Sequence, residues 1–166
     1  AHIHVTCNIL PHETDLEGLI EYLKKLEKCG VDAIICASPI VIEAVIKHTK
    51  MECHVSTQES TLNSKMVDFW TNLGVTRVVL GRELSIPQIK EIKAKSNVQI
   101  EAFIHGGMCV SYSGRCMLSN NMTNRDANRG GCAHSCRWNY DLLIKKLILM
   151  VNIFKCHLRI YAQFTI

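Results

Sequence analysis

Several features are missing from this sequence, and each absence narrows the range of functions. No uninterrupted run of about 18 apolar residues occurs, so we expect no membrane-spanning helix and no membrane partner. No signal peptide is recognisable, which favours a reducing, cytoplasmic location. The net charge is only +4, which permits an acidic partner such as RNA without requiring one. Neither a G-x-S-x-G elbow nor an H-E-x-x-H motif is present, so the chain lacks these two peptidase signatures.

What the chain does contain is ordinary in bulk and unusual in its cysteines. The 166 residues are 48% hydrophobic and 20% charged, as expected of a globular domain with a sizeable core. Nine cysteines is a high count, and four of them fall between Glu101 and Tyr140. The clustering, the odd count and the reducing location together favour metal or cluster ligation over a disulfide framework.

Strand-like and helix-like patterns alternate along the first two thirds of the chain. A capping box is predicted where Thr14 precedes Glu17, at the start of the first helix. The repeat of strand and helix, at a spacing of roughly 20–25 residues, predicts right-handed crossover units. We therefore predict an α/β fold, a partial (β/α) TIM-like barrel of about five parallel strands followed by a Cys-rich loop region. The predicted strands cover residues 2–8, 32–38, 52–58, 77–81 and 98–105.

On three of these strands, one face is polar and the other apolar. Ile100, Ala102 and Ile104 are expected to pack under helices, whereas the alternate residues face the barrel interior. Polar side chains at or just after carboxyl strand ends are candidates for catalysis, because barrel enzymes place their chemistry there. The alternative is that they are hydrogen-bonded interior residues. The polar faces comprise His4, Thr6 and Asn8, then His54, Ser56 and Gln58, then Glu101 and His105, and the candidate catalytic residues are Gln58, Glu83, Glu101 and His105.

The clustered cysteines have the spacing of a ligand-holding loop. The pattern is C-x6-C from Cys109 to Cys116, then fifteen residues to Cys132 and C-x3-C to Cys136. Four thiolates suit either tetrahedral zinc or an iron–sulfur cluster, and the long intervals fit a cluster better without deciding between them. Paired glycines on either side would allow close backbone approach to sulfur. The simpler alternative is that these cysteines are small buried hydrophobes.

Four segments of the chain form distinctive motifs. Residues 101–119 carry E-x-F-x-H-G-x-M-C-x-S-Y-S-G-R-C-x-L-S, and residues 124–138 read NRDANRGGCAHSCRW. Upstream are HVSTQ at 54–58 and RVVLGRELS at 77–85. The first two motifs closely resemble those of the collagenase-like peptidase family, peptidase family U-32, and the upstream pair is similar to the barrel strands of this family. The resemblance covers roughly residues 3–140.

The resemblance implies two functional readings. Some family members are labelled peptidases, which would make a peptide the substrate. Others are oxygen-independent hydroxylases with a cysteine-ligated [4Fe-4S] cluster, and this sequence is most similar to the branch acting on the tRNA wobble uridine. Such enzymes imply a small-molecule oxygen donor. Carried over by motif, the cluster ligands are Cys109, Cys116, Cys132 and Cys136, of which Cys109 and Cys116 match best. A non-catalytic zinc-binding module is a further alternative.

The same stretch is locally basic and aromatic, which suits contact with RNA. Between residues 107 and 140, four arginines oppose Asp126 alone. Arginines pair with phosphates, and aromatic side chains stack on unpaired bases. The alternative is that the arginines offset the negative charge of a thiolate-bound cluster. The candidate nucleic-acid-binding residues are Arg115, Arg125, Arg129, Arg137 and Trp138.

The chain divides by composition into three regions. Residues 1–106 form the predicted partial barrel, residues 107–140 the Cys-rich motif region, and residues 141–166 an atypical tail. The tail has no acidic residue after Asp141 and no clear period, which favours an out-of-frame or truncated terminus. Because members of the resembled family form eight-stranded barrels, we expect this chain to be a fragment of a longer protein.

Overall fold

A computed structural model describes residues 1–105, 109, 111–112 and 115–140 of the chain. Its centre is a five-stranded sheet in which every pair of neighbours is parallel and the strand order follows the chain. The strands are β1 (His4–Cys7), β2 (Ala33–Cys36), β3 (Glu52–Val55), β4 (Arg77–Val79) and β5 (Gln99–Glu101). The helices are α1 (Glu13–Leu16), α2 (Leu19–Lys28), α3 (Pro39–His48), α4 (Ser64–Asn72), α5 (Ile86–Ala94) and α6 (Leu118–Thr123).

Helices connect every consecutive pair of strands, as parallel pairing requires. Helices α1 and α2 lie between β1 and β2, and one helix each separates the later strands. A sheet in which each new strand adds beside the preceding one is wound in a single direction, as in the wall of a (β/α) barrel. This confirms the predicted α/β fold, a partial TIM-like barrel followed by a Cys-rich region without strands in its described part.

The core lies on the sheet face that the helices cover. Register places side chains in rows across the sheet, and one row joins Cys7, Cys36, Val55, Val78 and Ile100. These residues belong to one apolar cluster that also includes Leu23, Ile42, Val67 and Trp70 from the helices. Every second residue of each strand therefore serves the core, which leaves the alternate residues for the opposite, inner face.

The predicted strands extend too far at their carboxyl ends, most of all in β5. Strand β5 ends at Glu101, not His105, because β4 ends at Val79 and offers no ladder partner beyond it. Ile104 is consequently 99% exposed and does not pack under a helix.

The predicted capping box of Thr14 and Glu17 is also wrong. The His12 amide instead donates to Asp15 Oδ2 at 2.7 Å, and Gly18 has a φ of 74° that separates α1 from α2.

Within the described part of the chain, no helix is both long and apolar enough to cross a bilayer.

A buried hydrogen bond between Thr61 and Trp70 provides a test of this packing. The Trp70 indole N–H donates to Thr61 Oγ at 3.1 Å, and the two residues are 5% and 0% exposed. We expect Thr61→Val to leave the indole without an acceptor and to lower the free energy of unfolding by about 1–3 kcal/mol. Urea unfolding followed by tryptophan fluorescence measures this.

Thr71→Val, on the same helix as Trp70, is the matched control. Thr71 Oγ donates to the Val67 carbonyl at 2.8 Å, so its loss leaves no buried donor unpaired. We expect a change within about 0.5 kcal/mol. Equal effects of the two substitutions would contradict a structural role for the Thr61–Trp70 bond.

Candidate functional site

The four clustered cysteines lie in the Cys-rich region that follows β5. All four thiols are free, with Cys116 and Cys136 half-buried and Cys109 and Cys132 exposed. Burial raises the pKa of the Cys136 thiol, Arg137 opposes that effect, and the three other thiols raise the pKa further.

Backbone amides point at two of these sulfurs. The Leu118 N–H donates to Cys116 Sγ at 3.3 Å, and the His134 N–H donates to Cys132 Sγ at 3.4 Å. Amide donors stabilise negative charge on sulfur and are typical surroundings of ligating thiolates. The amide geometry therefore suits thiolates better than buried neutral thiols.

A tight turn before Cys132 fixes where that cysteine enters the cluster. The Gly131 N–H donates to the Asp126 carbonyl at 2.7 Å. A Cβ atom at Gly131 would lie 2.6 Å from the same carbonyl oxygen, so the close approach requires glycine. Gly131 thus shapes the loop through its close approach to the Asp126 backbone, whereas the other predicted pair, Gly106 and Gly107, lies outside the described residues.

The Cys-rich region is anchored to the loop that follows β1. Arg129 donates to Asp15 Oδ1 at 2.6 Å and lies 2.7 Å from His12 Nδ1. The Leu10 N–H donates to the Asn128 carbonyl at 3.0 Å, and the Asn128 side-chain oxygen accepts from the Cys116 N–H at 3.0 Å. A continuous set of hydrogen bonds therefore runs from the end of β1 to one of the clustered cysteines.

A second anchor joins the region to the turn that follows β3. Arg115, beside Cys116, pairs with Glu59 Oε1 at 2.7 Å. The Glu59 side chain is only 14% exposed, and burial raises the pKa of its carboxyl while Arg115 opposes that effect. Since β1 and β3 both end on the same edge of a parallel sheet, the cysteines lie against the carboxyl edge of the barrel wall.

The four candidate catalytic residues are placed along that edge but are not joined to one another. Gln58 lies in a 3₁₀ turn at Thr57–Glu59, Glu83 is exposed after β4, and His105 is exposed after β5. Glu101 lies within β5, and Arg77 Nη1 donates to its carboxylate at 3.3 Å. Across the residues that the structure describes, no hydrogen bond or ion pair links any two of the four, and their catalytic role stays a prediction.

The inner sheet face carries a polar network that includes residues the sequence reasoning missed. His54 is fully buried, its Nε2 lies 2.9 Å from Glu52 Oε2, and its ring packs edge-on against His4 at 4.9 Å. Burial lowers the pKa of His54. Arg77 donates to Gln99 Oε1 at 2.6 and 2.9 Å as well as to Glu101. Strand parity could have identified Arg77, Glu52 and Gln99, because each shares a face with the polar residues that were recognised.

The five residues predicted to contact nucleic acid divide into two groups. Arg115 and Arg129 are engaged in the two anchors and hold the Cys-rich region to the barrel. Arg125, Arg137 and Trp138 are exposed, with 46% of Trp138 accessible. Binding of RNA by any of them stays a prediction, and the anchoring role of Arg115 and Arg129 is one that sequence reasoning missed.

The donor set fits a thiolate-bound metal or cluster in its chemistry. All four cysteines are free thiols, and two of their sulfurs accept hydrogen bonds from backbone amides. Among the residues with a described placement, no three His, Cys, Asp or Glu side chains are already gathered as a metal site. The residue types and their surroundings suit a cysteine-ligated group. Residues 106–108, 110, 113 and 114, which lie around Cys109, are outside the described structure.

Fold and site together define a partial β/α barrel with a Cys-rich region anchored at the carboxyl edge of its sheet. The sequence profile of Peptidase family U32 matches residues 1–156. The chain therefore belongs to Peptidase family U32, as the motif resemblance predicted.

Relatives of known name agree with this assignment. The chain is 52% identical over 143 residues to tRNA hydroxylation protein P1 of Bacillus subtilis, covering 86% of this chain and 34% of that protein. It is 39% identical over 142 residues to 23S rRNA 5-hydroxycytidine C2501 synthase of Escherichia coli, covering 86% and 21%. The solved U32 peptidase Mk0906 has the same fold, with a TM-score of 0.54 at 14% identity, over 61% of this chain and 44% of that one. The chain thus spans about a third or less of these curated relatives.

The Arg115–Glu59 anchor predicts a pH-dependent stability change. Arg115→Ala removes the group that opposes the raised pKa of Glu59, so that pKa rises further. An acid with a raised folded-state pKa contributes stability at low pH and loses it as pH rises through that pKa. We expect Arg115→Ala to destabilise the chain more at pH 8 than at pH 5, by about 1–3 kcal/mol at pH 8. Urea unfolding at the two pH values measures the difference.

The double variant Arg115→Ala/Glu59→Gln is the matched control. Glutamine carries no charge to leave unpaired, so the extra destabilisation at pH 8 should disappear. A pH-independent loss that persists in the double variant would contradict the ion-pair explanation.

Proposed function

We propose that this chain forms the barrel edge and cysteine cluster of an iron–sulfur-dependent, oxygen-independent RNA hydroxylase acting on tRNA. The observation that carries the proposal is the anchoring of the Cys-rich region at the carboxyl edge of the sheet, where backbone amides donate to the sulfurs of Cys116 and Cys132. Substrates of barrel enzymes bind at that edge. The names of the two curated relatives, one acting on tRNA and one on rRNA, support the substrate class.

The four cysteines would hold a [4Fe-4S] cluster through their thiolates. When bound, such a cluster supplies one-electron transfer at a potential set by its surroundings. The chain's own groups orient the ligands: Asn128 fixes the Cys116 amide, and the Leu118 and His134 amides donate to sulfur. Arg115 and Arg129 hold this assembly against the loops after β3 and β1.

An oxygen-independent hydroxylation of a base must take its oxygen atom from a source other than molecular oxygen. One C–H bond becomes C–O–H, so the base is oxidised by two electrons and the donor is reduced by two as it gives up one oxygen atom. We propose a small oxygen-bearing organic molecule as that donor. The candidate groups facing it are Gln58, Glu83 and His105 on the loops after β3, β4 and β5, with Glu101 held by Arg77 on the inner face.

The alternative function, peptide cleavage, depends on the family label of collagenase-like peptidase. A peptidase needs a nucleophile or metal-bound water with a base beside it. In the described residues, no imidazole is hydrogen-bonded to a cysteine or serine side chain, and His105 and Cys109 are both exposed. The amide hydrogen bonds to Cys116 and Cys132 instead favour the cluster, and peptide cleavage is an outcome of the test below.

Anaerobic reconstitution tests the cluster. With iron and sulfide, we expect the chain to bind about four iron atoms and to develop the visible absorption of a [4Fe-4S] cluster. Cys109→Ala and Cys116→Ala should each abolish that absorption. Iron and sulfide analysis with visible and electron paramagnetic resonance spectra measures the result.

Cys29→Ala is the control, because Cys29 is exposed at the end of α2 and belongs to no cysteine cluster. It should bind as much iron as the wild type. Stoichiometric zinc in place of iron would support the zinc alternative, and gelatin cleavage without any metal would support the peptidase.

RNA binding tests the exposed basic and aromatic side chains. With a tRNA anticodon stem-loop as probe, we expect Arg125→Ala to weaken binding several-fold. The slope of log K against log salt concentration should become shallower by about one. Trp138→Ala should weaken binding by about 1–3 kcal/mol if it stacks on a base. Fluorescence anisotropy across a salt series measures both.

Lys28→Ala and Phe69→Ala are the matched controls, one an exposed cation on α2 and the other an aromatic on α4 that is 56% exposed. Neither should change the affinity. Equal losses in the test and control variants would show that binding is non-specific and would remove these residues from the proposed interface.

A further inference from the structure

We propose that Ser119 is a positioning residue that fixes the Cys132 loop and donates a hydrogen bond from its hydroxyl to the Cys132 sulfur. This inference rests on the proposed cluster, because it concerns how that sulfur is held and stabilised. Ser119 is only 2% exposed and lies in the first turn of α6. Neither the motif resemblance nor the cysteine spacing assigned it a role.

The Ser119 hydroxyl makes contacts on both sides of the loop. It accepts from the Ala133 N–H at 3.0 Å, and it lies 4.0 Å from Cys132 Sγ, within the range of a hydrogen bond to sulfur. A serine hydroxyl has one proton to donate and two lone pairs to accept with. Since Ala133 uses an acceptor site, the proton is available for the sulfur, and burial makes an unused proton costly.

These contacts place two donors on one sulfur. The His134 N–H also donates to Cys132 Sγ, at 3.4 Å. His134, which follows Ala133 in the chain, has a φ of 56°. A left-handed conformation is unfavourable for a non-glycine residue, so other contacts must hold it. The Ser119–Ala133 bond lies directly beside His134 and is positioned to provide that support.

Hydrogen bonds to sulfur should favour the reduced state of a bound cluster. Reduction adds negative charge, and donors aimed at the ligand sulfurs stabilise that charge. Removing the Ser119 hydroxyl should therefore lower the reduction potential. It should also remove the acceptor of the Ala133 N–H and so speed hydrogen exchange at that amide, whether or not metal is bound.

Ser119→Ala in the full chain is the test, with two measurements. After anaerobic reconstitution, we expect the ratio of reduced to oxidised cluster at a fixed potential to fall by up to about tenfold, equal to 59 mV for one electron. In the metal-free chain, we expect hydrogen exchange at the Ala133 amide to accelerate at least about tenfold, as a lost hydrogen bond of about 1.4 kcal/mol would produce. Redox titration and mass-resolved hydrogen exchange measure the two effects.

Thr123→Ala is the matched control, because it also removes a hydroxyl from α6. Thr123 Oγ donates to the Ser119 carbonyl at 2.7 Å and makes no recorded contact with a cysteine sulfur in the described chain. It should leave both the potential and the Ala133 exchange unchanged.

The outcomes separate this inference from the proposed function. Unchanged Ala133 exchange in Ser119→Ala would overturn the positioning role, and an unchanged potential would overturn the donation to sulfur. Loss of iron binding in Ser119→Ala alone, with normal circular dichroism, would support positioning. A wild-type chain that binds no iron would refute the cluster and the tuning of its potential, whereas faster Ala133 exchange would still show that Ser119 holds the loop.

Discussion

Parallel pairing of five strands in chain order is the constraint on which the site depends. Each strand begins at the same edge of the sheet and ends at the other, so the loops after β1, β3, β4 and β5 all emerge together. The residues that anchor the cysteines, Asp15 and Glu59, lie on two of those loops. A Cys-rich segment following β5 can therefore be held by groups more than 50 residues away in sequence, as the Arg115–Glu59 separation of 56 residues illustrates.

The ion pairs of the two anchoring arginines differ in burial and in the number of supporting hydrogen bonds. Glu59 is mostly buried and would be left without its partner if Arg115 were lost, which is the costly case for an ion pair. Arg129 and Asp15 are also half-buried, and His12 and the backbone at Leu10 reinforce that contact. Surface ion pairs contribute little, but these pairs join two parts of the chain through several bonds at once. Positive charge in the motif thus has a structural use that composition alone does not reveal.

The fold was predictable from the sequence, and the site was predictable in part. Periodicity identified all five strands and the polar inner face, because burial on one side of a sheet imposes a strict alternation. It placed the end of β5 wrongly, since strand length depends on how far the neighbouring strand β4 continues. The capping error at Thr14 arose because Gly18 interrupts the helix with a positive φ, a backbone choice that residue spacing does not encode.

The contacts that shape the site were the least predictable. Asn128 and Ser119 belong to the sequence motifs, but the sequence assigned them no role. In the structure, Asn128 accepts from the Cys116 N–H and Ser119 accepts from the Ala133 N–H. Glu59 received no role because its partner Arg115 lies in a distant segment. Such pairings depend on three-dimensional approach, for which the sequence has no local signal. The clustered cysteines could be singled out from the sequence because polar and glycine residues surround them, unlike the core cysteines Cys36 and Cys53.

The structure separates two kinds of cysteine by their surroundings. Cys36 and Cys53 lie 3.7 Å apart in the core, where contact between the two thiols and burial raise the pKa of Cys36. A neutral thiol in an apolar environment is a poor ligand, because ligation requires the thiolate. Cys116 and Cys132 instead accept hydrogen bonds from backbone amides at the edge of the sheet. Amide donors stabilise a thiolate, whereas burial stabilises a neutral thiol. The direction of the backbone amides, and not the count of cysteines, therefore distinguishes the two groups.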